Sequence, residues 1–366
     1  MNEMVVTGWS ALSSAGPGAD SLAGAGVTAP EARPGTDIGH LFPEALPAPR
    51  GCAVDGFDVR AQLGRKGVST YDRGTALAVV CCRDAMRAAG MALEGTPEAR
   101  VGVALGTNLG AFQASCDFDR ETLIHAKPYQ VNPLLFPATL MNYAAGQVAM
   151  RFGLHSVNMT VAGGILAFLS TLRYAATVLR RGHTDAILAG AVEEYSPHRA
   201  WARHLTGGTA RIPLGEAAAV FVLTGPQAPD WAGPDHIARI LAVTTGYGPG
   251  GAERADQALA DCVRRALRQA GADPSMISVV LTGETADADV SEYEPVARAL
   301  GCEPPRLLVK PGLGECDGAS SALALAMLLA APDGDLATGG LGLITARSAD
   351  GAVGAAIVRR TPRCQP

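Results

Sequence analysis

The chain reads as an α/β protein in which short apolar strands alternate with longer helices. Two observations carry this. The runs Val101-Gly-Val-Ala-Leu105, Asp185 to Ala191 and Ala218 to Leu223 are almost continuously apolar. Such runs belong to strands covered on both faces by helices, not to a sheet with one wet face. The pattern also occurs twice. Arg83-Asp-Ala-Met-Arg-Ala-Ala-Gly90 precedes the run at 101–105 and Gly106-Thr107. About 180 residues later, Arg265-Ala-Leu-Arg-Gln-Ala-Gly271 precedes Ile277 to Leu281 and Thr282-Gly283, which points to two related halves.

The elements follow in order. Val5-Val6-Thr7-Gly8 is a strand running into a turn. Thr75 to Ala89 is a helix, with Ala76, Val79, Val80, Ala85 and Met86 at helical spacing. Gly90 and Gly271 stand where a glycine closes a helix. Asn158 to Val161 is a further strand, followed by a helix from Gly164 to Arg181. Ala319 to Pro332 is a buried helix, well short of the roughly 20 residues that a bilayer span needs. The Pro- and Gly-rich stretch from Gly225 to Asp235 is the natural seam. It divides the chain into an N-terminal half, 1–225, and a C-terminal half, 236–366.

Composition narrows the function. Hydrophobic residues make up 48% and charged residues 18% of 366, a globular balance and not a disordered one. The net charge is -5 with no basic run, which argues against nucleic acid or an anionic membrane as partner. Residues 1–10 lack the basic-then-apolar order of an export signal. The eight cysteines are scattered without a CxxC, and the adjacent Cys81-Cys82 is a poor disulfide. Reduced thiols and a cytoplasmic location are expected. The seven histidines form no HxH, HxxxH or HExxH, so no metal is expected. Gly106-Thr-Asn-Leu-Gly110 lacks the Gly-Lys-Ser/Thr of a phosphate loop, and no GxGxxG stands at a strand–helix junction. No cofactor is expected.

Six segments are similar, in order and spacing, to the β-ketoacyl synthase family. They are Val131-Asn-Pro-Leu-Leu-Phe-Pro137 with Asn142 to Gly153; Gly163-Gly-Ile-Leu-Ala167; Asp185 to Glu193; Gly215-Glu-Ala-Ala-Ala-Val-Phe-Val-Leu223; Asp289-Val-Ser-Glu292 with Ala299-Leu-Gly301; and Lys310-Pro-Gly-Leu-Gly314. The resemblance implies the thiolase fold: two related α/β halves in five layers, αβαβα.

An active ketosynthase needs a cysteine at the amino end of a helix, where the dipole favours the thiolate. It also needs two histidines that assist decarboxylation and stabilise the enolate and oxyanion. The family's Thr-Ala-Cys-x-x-Gly is set against Met159 to Gly164, which puts Val161 in the cysteine's place. His-Gly-Thr-x-Thr is set against Leu281-Thr-Gly-Glu-Thr285, with Leu281 for the first histidine. Glu315, after Lys310-x-x-x-Gly314, replaces the second. The late Gly-Phe-Gly-Gly turn reads Ala349-Asp350-Gly351-Ala352. Valine and leucine carry no nucleophile and no polar hydrogen. Cys316 is the nearest thiol, but it sits in a turn without matching histidines. Catalytic residues are therefore expected to be absent, with Val161, Leu281 and Glu315 vestigial.

The resemblance also marks Phe112 to Ala126 as a helix at the dimer interface. Phe112, Cys116, Phe118 and Leu123 would line a substrate tunnel there. Ordinary core packing is the alternative for these four. Phe112 and Phe118 are six residues apart, about 600° of helix, and so point different ways. The resemblance is closest to the chain length factor of a type II polyketide synthase. Its implied partners are an active ketosynthase in a heterodimer, an acyl carrier protein through that complex, and the polyketide acyl chain at the interface. The alternative is an enzyme with altered acyl-transfer or hydrolytic chemistry, for which Glu315 is the one titratable replacement.

Overall fold

The structure is a computed structural model; it describes residues 3–23, 35–92, 100–206, 212–225, 236–284, 291–332 and 340–361. The seam at 226–235, Asp289 and Cys364 lie outside these residues.

Ten strands carry the fold. The first five are β1 Met4–Ser13, β2 Val101–Thr107, β3 Asn158–Ala162, β4 Ala186–Glu193 and β5 Ala217–Thr224. The second five are β6 Ala238–Tyr247, β7 Ile277–Thr282, β8 Arg306–Leu308, β9 Leu341–Arg347 and β10 Ala352–Arg360. Their spatial order is β8-β7-β9-β10-β6-β1-β5-β4-β2-β3. The order of the first five, β1-β5-β4-β2-β3, is repeated by the second as β6-β10-β9-β7-β8. The sense of pairing repeats too. β1–β5 and β5–β4 are antiparallel, β4–β2 and β2–β3 parallel. β6–β10 and β10–β9 are antiparallel, β9–β7 and β7–β8 parallel. The halves meet where Met4, Val5 and Val6 of β1 pair antiparallel with Ile240, Arg239 and Ala238 of β6.

The helices are α1 Arg73–Ala88, α2 Phe112–Ile124, α3 Tyr143–Phe152, α4 Ala167–Arg180, α5 Pro197–Leu205, α6 Ala252–Ala270, α7 Tyr293–Leu300 and α8 Ser320–Ala330. Asp72 caps α1 by accepting from Thr75 N–H, and Gly90 beyond its end is left-handed at φ 68°. Gly271 closes α6 at φ 60°.

Three apolar clusters show the layering. One joins α1 and α3 to the outer face of the first five strands. Another joins α6 and α7 to the outer face of the second five. Between them, α4 and α8 pack with residues of both halves, Phe168, Phe221, Leu281 and Leu325 among them. The result is the five-layered αβαβα arrangement expected. Every residue of α8 is buried, Ser320 and Ser321 included, in keeping with the uninterrupted apolar run from Ala322 to Ala330.

Candidate functional site

The site is built where β3 gives way to the central helix. β3 continues through Val161, which pairs in register with Gly106 of β2, and ends at Ala162. Gly163 and Gly164 then turn the chain, Gly164 with φ 56°. A 3₁₀ turn, Gly164–Leu166, leads into α4. Leu166 stands at the N-cap of α4, and Ile165, four positions beyond Val161, lies in the turn just before it.

Val161, the position set against the family's cysteine, lies inside a strand, and Ile165 lies in the turn that leads into the central helix. Leu281 is fully buried and points into the central core. Gly283, two residues on, faces the elbow: a Cβ there would stand 3.9 Å from Ile165 Cδ1 and 3.6 Å from Glu292 Oε2. Isoleucine and glycine offer no thiol, imidazole or hydroxyl.

Glu315 stands on the other side of the elbow. The turn Asp317–Ala319 that follows it packs against the turn Gly164–Leu166. Gly318 is so close that a Cβ would lie 3.0 Å from Gly164 O and 2.8 Å from Glu193 Oε1. Glu315 is tied on every side. Its Oε2 is 2.7 Å from Lys310 Nζ, its Oε1 accepts from Asp317 N–H, and its backbone pairs with Pro213 and Gly215. Burial alone would lower the Lys310 pKa; Glu315 outweighs it and holds the ammonium charged.

Other buried charges extend this pair into a network. Arg199 binds Asp317 at 2.5 Å and donates to Glu194 O and Gly215 O. Glu193 accepts from Asn108 N–H, and burial pushes its carboxyl up to about 8 against the pull of Arg199. Glu292 is pushed up to about 7 by burial, although Thr345 donates to it and Lys310 lies near. Glu284 pairs with Arg306 at 2.6 Å. Cys316 is fully buried, and burial raises its thiol well above the usual range, so it is a poor nucleophile.

The four residues of α2 do not share one face. Phe112, Cys116 and Leu123 fall within about 40° of one another around the helix. Phe118 turns elsewhere and packs on Phe136, ring centroids 5.8 Å apart. No residue of α2 is fully buried, and Leu123 is 83% exposed. Ile124, Leu134, Phe136, Leu140, Met141, Met150 and Met159 are exposed as well. Met159 belongs to β3, an edge strand that pairs only with β2 among the described residues. Exposed apolar side chains beside an open strand edge are the composition of an interface.

A repeated α/β architecture with a strand-to-helix elbow between the halves defines the class of fold. Residues 2–211 match the family described as "Beta-ketoacyl synthase, N-terminal domain", and the chain belongs to the β-ketoacyl synthase family. Among curated relatives, 3-oxoacyl-[acyl-carrier-protein] synthase 2 of Vibrio cholerae serotype O1 is 25% identical over 68% of this chain and 66% of its own length. The enzyme of the same name from Coxiella burnetii is 24% identical over 76% of this chain and 74% of its length. The chain thus spans about two thirds to three quarters of these relatives. Among solved structures, the ishigamide ketosynthase/chain length factor superposes with TM-score 0.82 and 31% identity, covering 98% of this chain and 99% of that one. A β-ketoacyl synthase from Burkholderia phymatum STM815 gives TM-score 0.80 at 20% identity, over 99% of this chain and 100% of its own, a likeness of fold alone.

Proposed function

We propose that this chain is a non-catalytic chain length factor of a type II polyketide synthase, which pairs with an active ketosynthase and walls part of its acyl tunnel. The observation that carries this is the elbow. Ile165 and Gly283 face each other where a nucleophile and an imidazole would be needed, and Glu315 is committed to Lys310. The exposed belt around β3 supports pairing, because a strand edge and apolar side chains are both satisfied by a second subunit. The resemblance to the ishigamide ketosynthase/chain length factor supports the same reading. In it, Phe112, Cys116 and Leu123 form the tunnel side of α2, and Phe118 braces the helix against Phe136. The two halves, 1–225 and 236–366, supply the two sides of the elbow. The complex would work in the cytoplasm and receive its chain from an acyl carrier protein. The alternative of altered acyl-transfer or hydrolytic chemistry would need Glu315 as a free base, and the Lys310 pair disfavours that.

The test is co-expression with a ketosynthase that has its cysteine and histidines, followed by labelling with a radioactive acyl carrier protein thioester. Label is expected on the partner only. Thr160→Pro, which removes an edge N–H from β3, is expected to weaken the pair by at least about 100-fold. Label on this chain, or an unpaired chain with full activity, defeats the reading.

A further inference from the structure

The end of the sheet away from the elbow carries an unbalanced charge. β6 and β10 pair there with Arg239 directly across from Arg359. Arg359 also faces Leu341, the first residue of β9, whereas Thr345, which donates to Glu292 beside the elbow, lies toward the other end of that strand. Ile240 and Val358, the strand neighbours of the two arginines, belong to the central core. Arg239 and Arg359 therefore point to the opposite face, where Leu241 and Ile357 pack with α6. The helix ends at Ala270, and Gln269 and Ala270 border a cavity of ≈ 400 Å³ together with Arg239, Arg359 and Leu241. Glu3, Arg360 and Thr361 complete its wall.

Like charges directly opposite one another on neighbouring strands repel. Here the compensation is partial. Glu3, the one acid in the wall, pairs with Arg239 at 2.7 Å. Arg359 is exposed and has no carboxylate partner among the described residues. Leaving Arg360 aside, two guanidinium groups face one carboxylate. The carboxyl end of α6 adds about half a negative charge, which does not close the difference. Part of that end is already taken up, because Gly271 N–H donates to the carbonyls of Leu267 and Arg268. In a chain whose net charge is -5, this cavity is a local reversal of sign.

We propose that the cavity binds a diphosphate group, gripped by Arg239 and Arg359. A guanidinium donates two parallel N–H bonds to phosphate oxygens, and two of them side by side across a strand pair suit two linked phosphates. The anion removes the repulsion between the arginines, which no residue of the wall does fully. Leu241 and Ala270 give the cavity an apolar side and Gln269 an amide, so free diphosphate and the diphosphate of a nucleotide share the chemistry recognised. The site is independent of the pairing reading above, since it uses no residue of the elbow or of the exposed belt.

The test is calorimetric titration of the full chain with sodium diphosphate and, separately, with ADP, against sodium chloride of equal ionic strength. Diphosphate is expected to bind and to raise the thermal midpoint by roughly 2 °C or more over the chloride control. Arg359→Gln and Arg239→Gln should each weaken binding by at least about 10-fold, and either can carry the test if the other folds poorly. Arg359→Gln should leave the midpoint without ligand unchanged or higher, because it removes a like-charge contact. Glu3→Gln should act the other way and tighten binding several-fold, since it frees Arg239, a gain that a purely structural Glu3 would not give. Tighter binding of ADP than of diphosphate assigns the site to a nucleotide, and the reverse order to the free anion. Heats and midpoints no different from the chloride control overturn the site. So does parent affinity in both arginine variants, which reduces the effect to general screening.

Discussion

Lys310 and Glu315 form an ion pair of 2.7 Å in a turn that leaves their side chains only 7% and 18% exposed. On the proposed reading, Glu315 stands where the family's second histidine would be needed. A glutamate there does not wait for a substrate; it neutralises a buried lysine five residues earlier in the chain.

Glu315→Ala is therefore expected to destabilise the protein, because it strands a buried ammonium. Breaking such a pair costs on the order of 3 kcal/mol, here at the low end because Glu292 remains near Lys310. The thermal midpoint of the assembled protein should fall by roughly 5 °C or more. Lys310→Met with Glu315→Leu should recover most of the loss. An unchanged midpoint for Glu315→Ala would mean that water screens the pair.

A thiol alone should not restore catalysis. Neither Val161→Cys nor Ile165→Cys is expected to support condensation, since Gly283 and Glu315 leave no imidazole on either side. Each missing donor is worth roughly 100- to 1000-fold. The two variants should nonetheless differ. The thiol of Ile165→Cys would lie at the amino end of α4, whereas that of Val161→Cys would be held in a strand. The first should therefore react with iodoacetamide faster than the second. Robust turnover by either variant without a partner would falsify the pseudoenzyme reading.

Stability should fall as pH rises through neutrality. Glu193 and Glu194 at about 8 and Glu292 at about 7 lie above their ordinary 4.5 because of burial. The folded chain then holds more protons than the unfolded one, so this stabilisation is fully present below about pH 4.5 and is lost through pH 7–8. Each group contributes a slope of up to about 1.4 kcal/mol per pH unit. Glu292→Gln should flatten its share of the decline in urea midpoints measured between pH 5.5 and 8.5. A parallel curve for parent and variant would place Glu292 in water.

The two phenylalanines of α2 should separate length from stability. Phe112→Ala widens the proposed tunnel side and should lengthen the product with the complex intact. Phe118→Ala removes the contact with Phe136 and should instead lower yield at constant length. Because Phe118 is half-buried, the cost should lie at or below the low end of the roughly 3–5 kcal/mol of a fully buried phenylalanine. Product mass from each reconstituted complex decides. If neither variant changes length, α2 does not wall the tunnel.

Much of this protein was legible in its residues alone. Apolar runs such as 101–105 and 322–330 carry no polar side chain to face water, so each reads as an element covered on all sides. The glycines at 90 and 271 announced helix ends. The absence of a thiol from Val161 to Leu166 was legible too, whatever the alignment. What sequence could not decide was direction and company. Which residue stands at the elbow depended on β3 running on to Ala162 before Gly164 turned the chain, and that put Val161 in the strand and Ile165 in the turn before the helix. The sharing of one face by Phe112 and Cys116, with Phe118 on another, needed Phe136 from a separate segment to give it meaning. The charges needed the whole fold: Arg199 and Asp317 lie 118 positions apart, and only packing of the two halves around α4 and α8 removes enough water to make them partners.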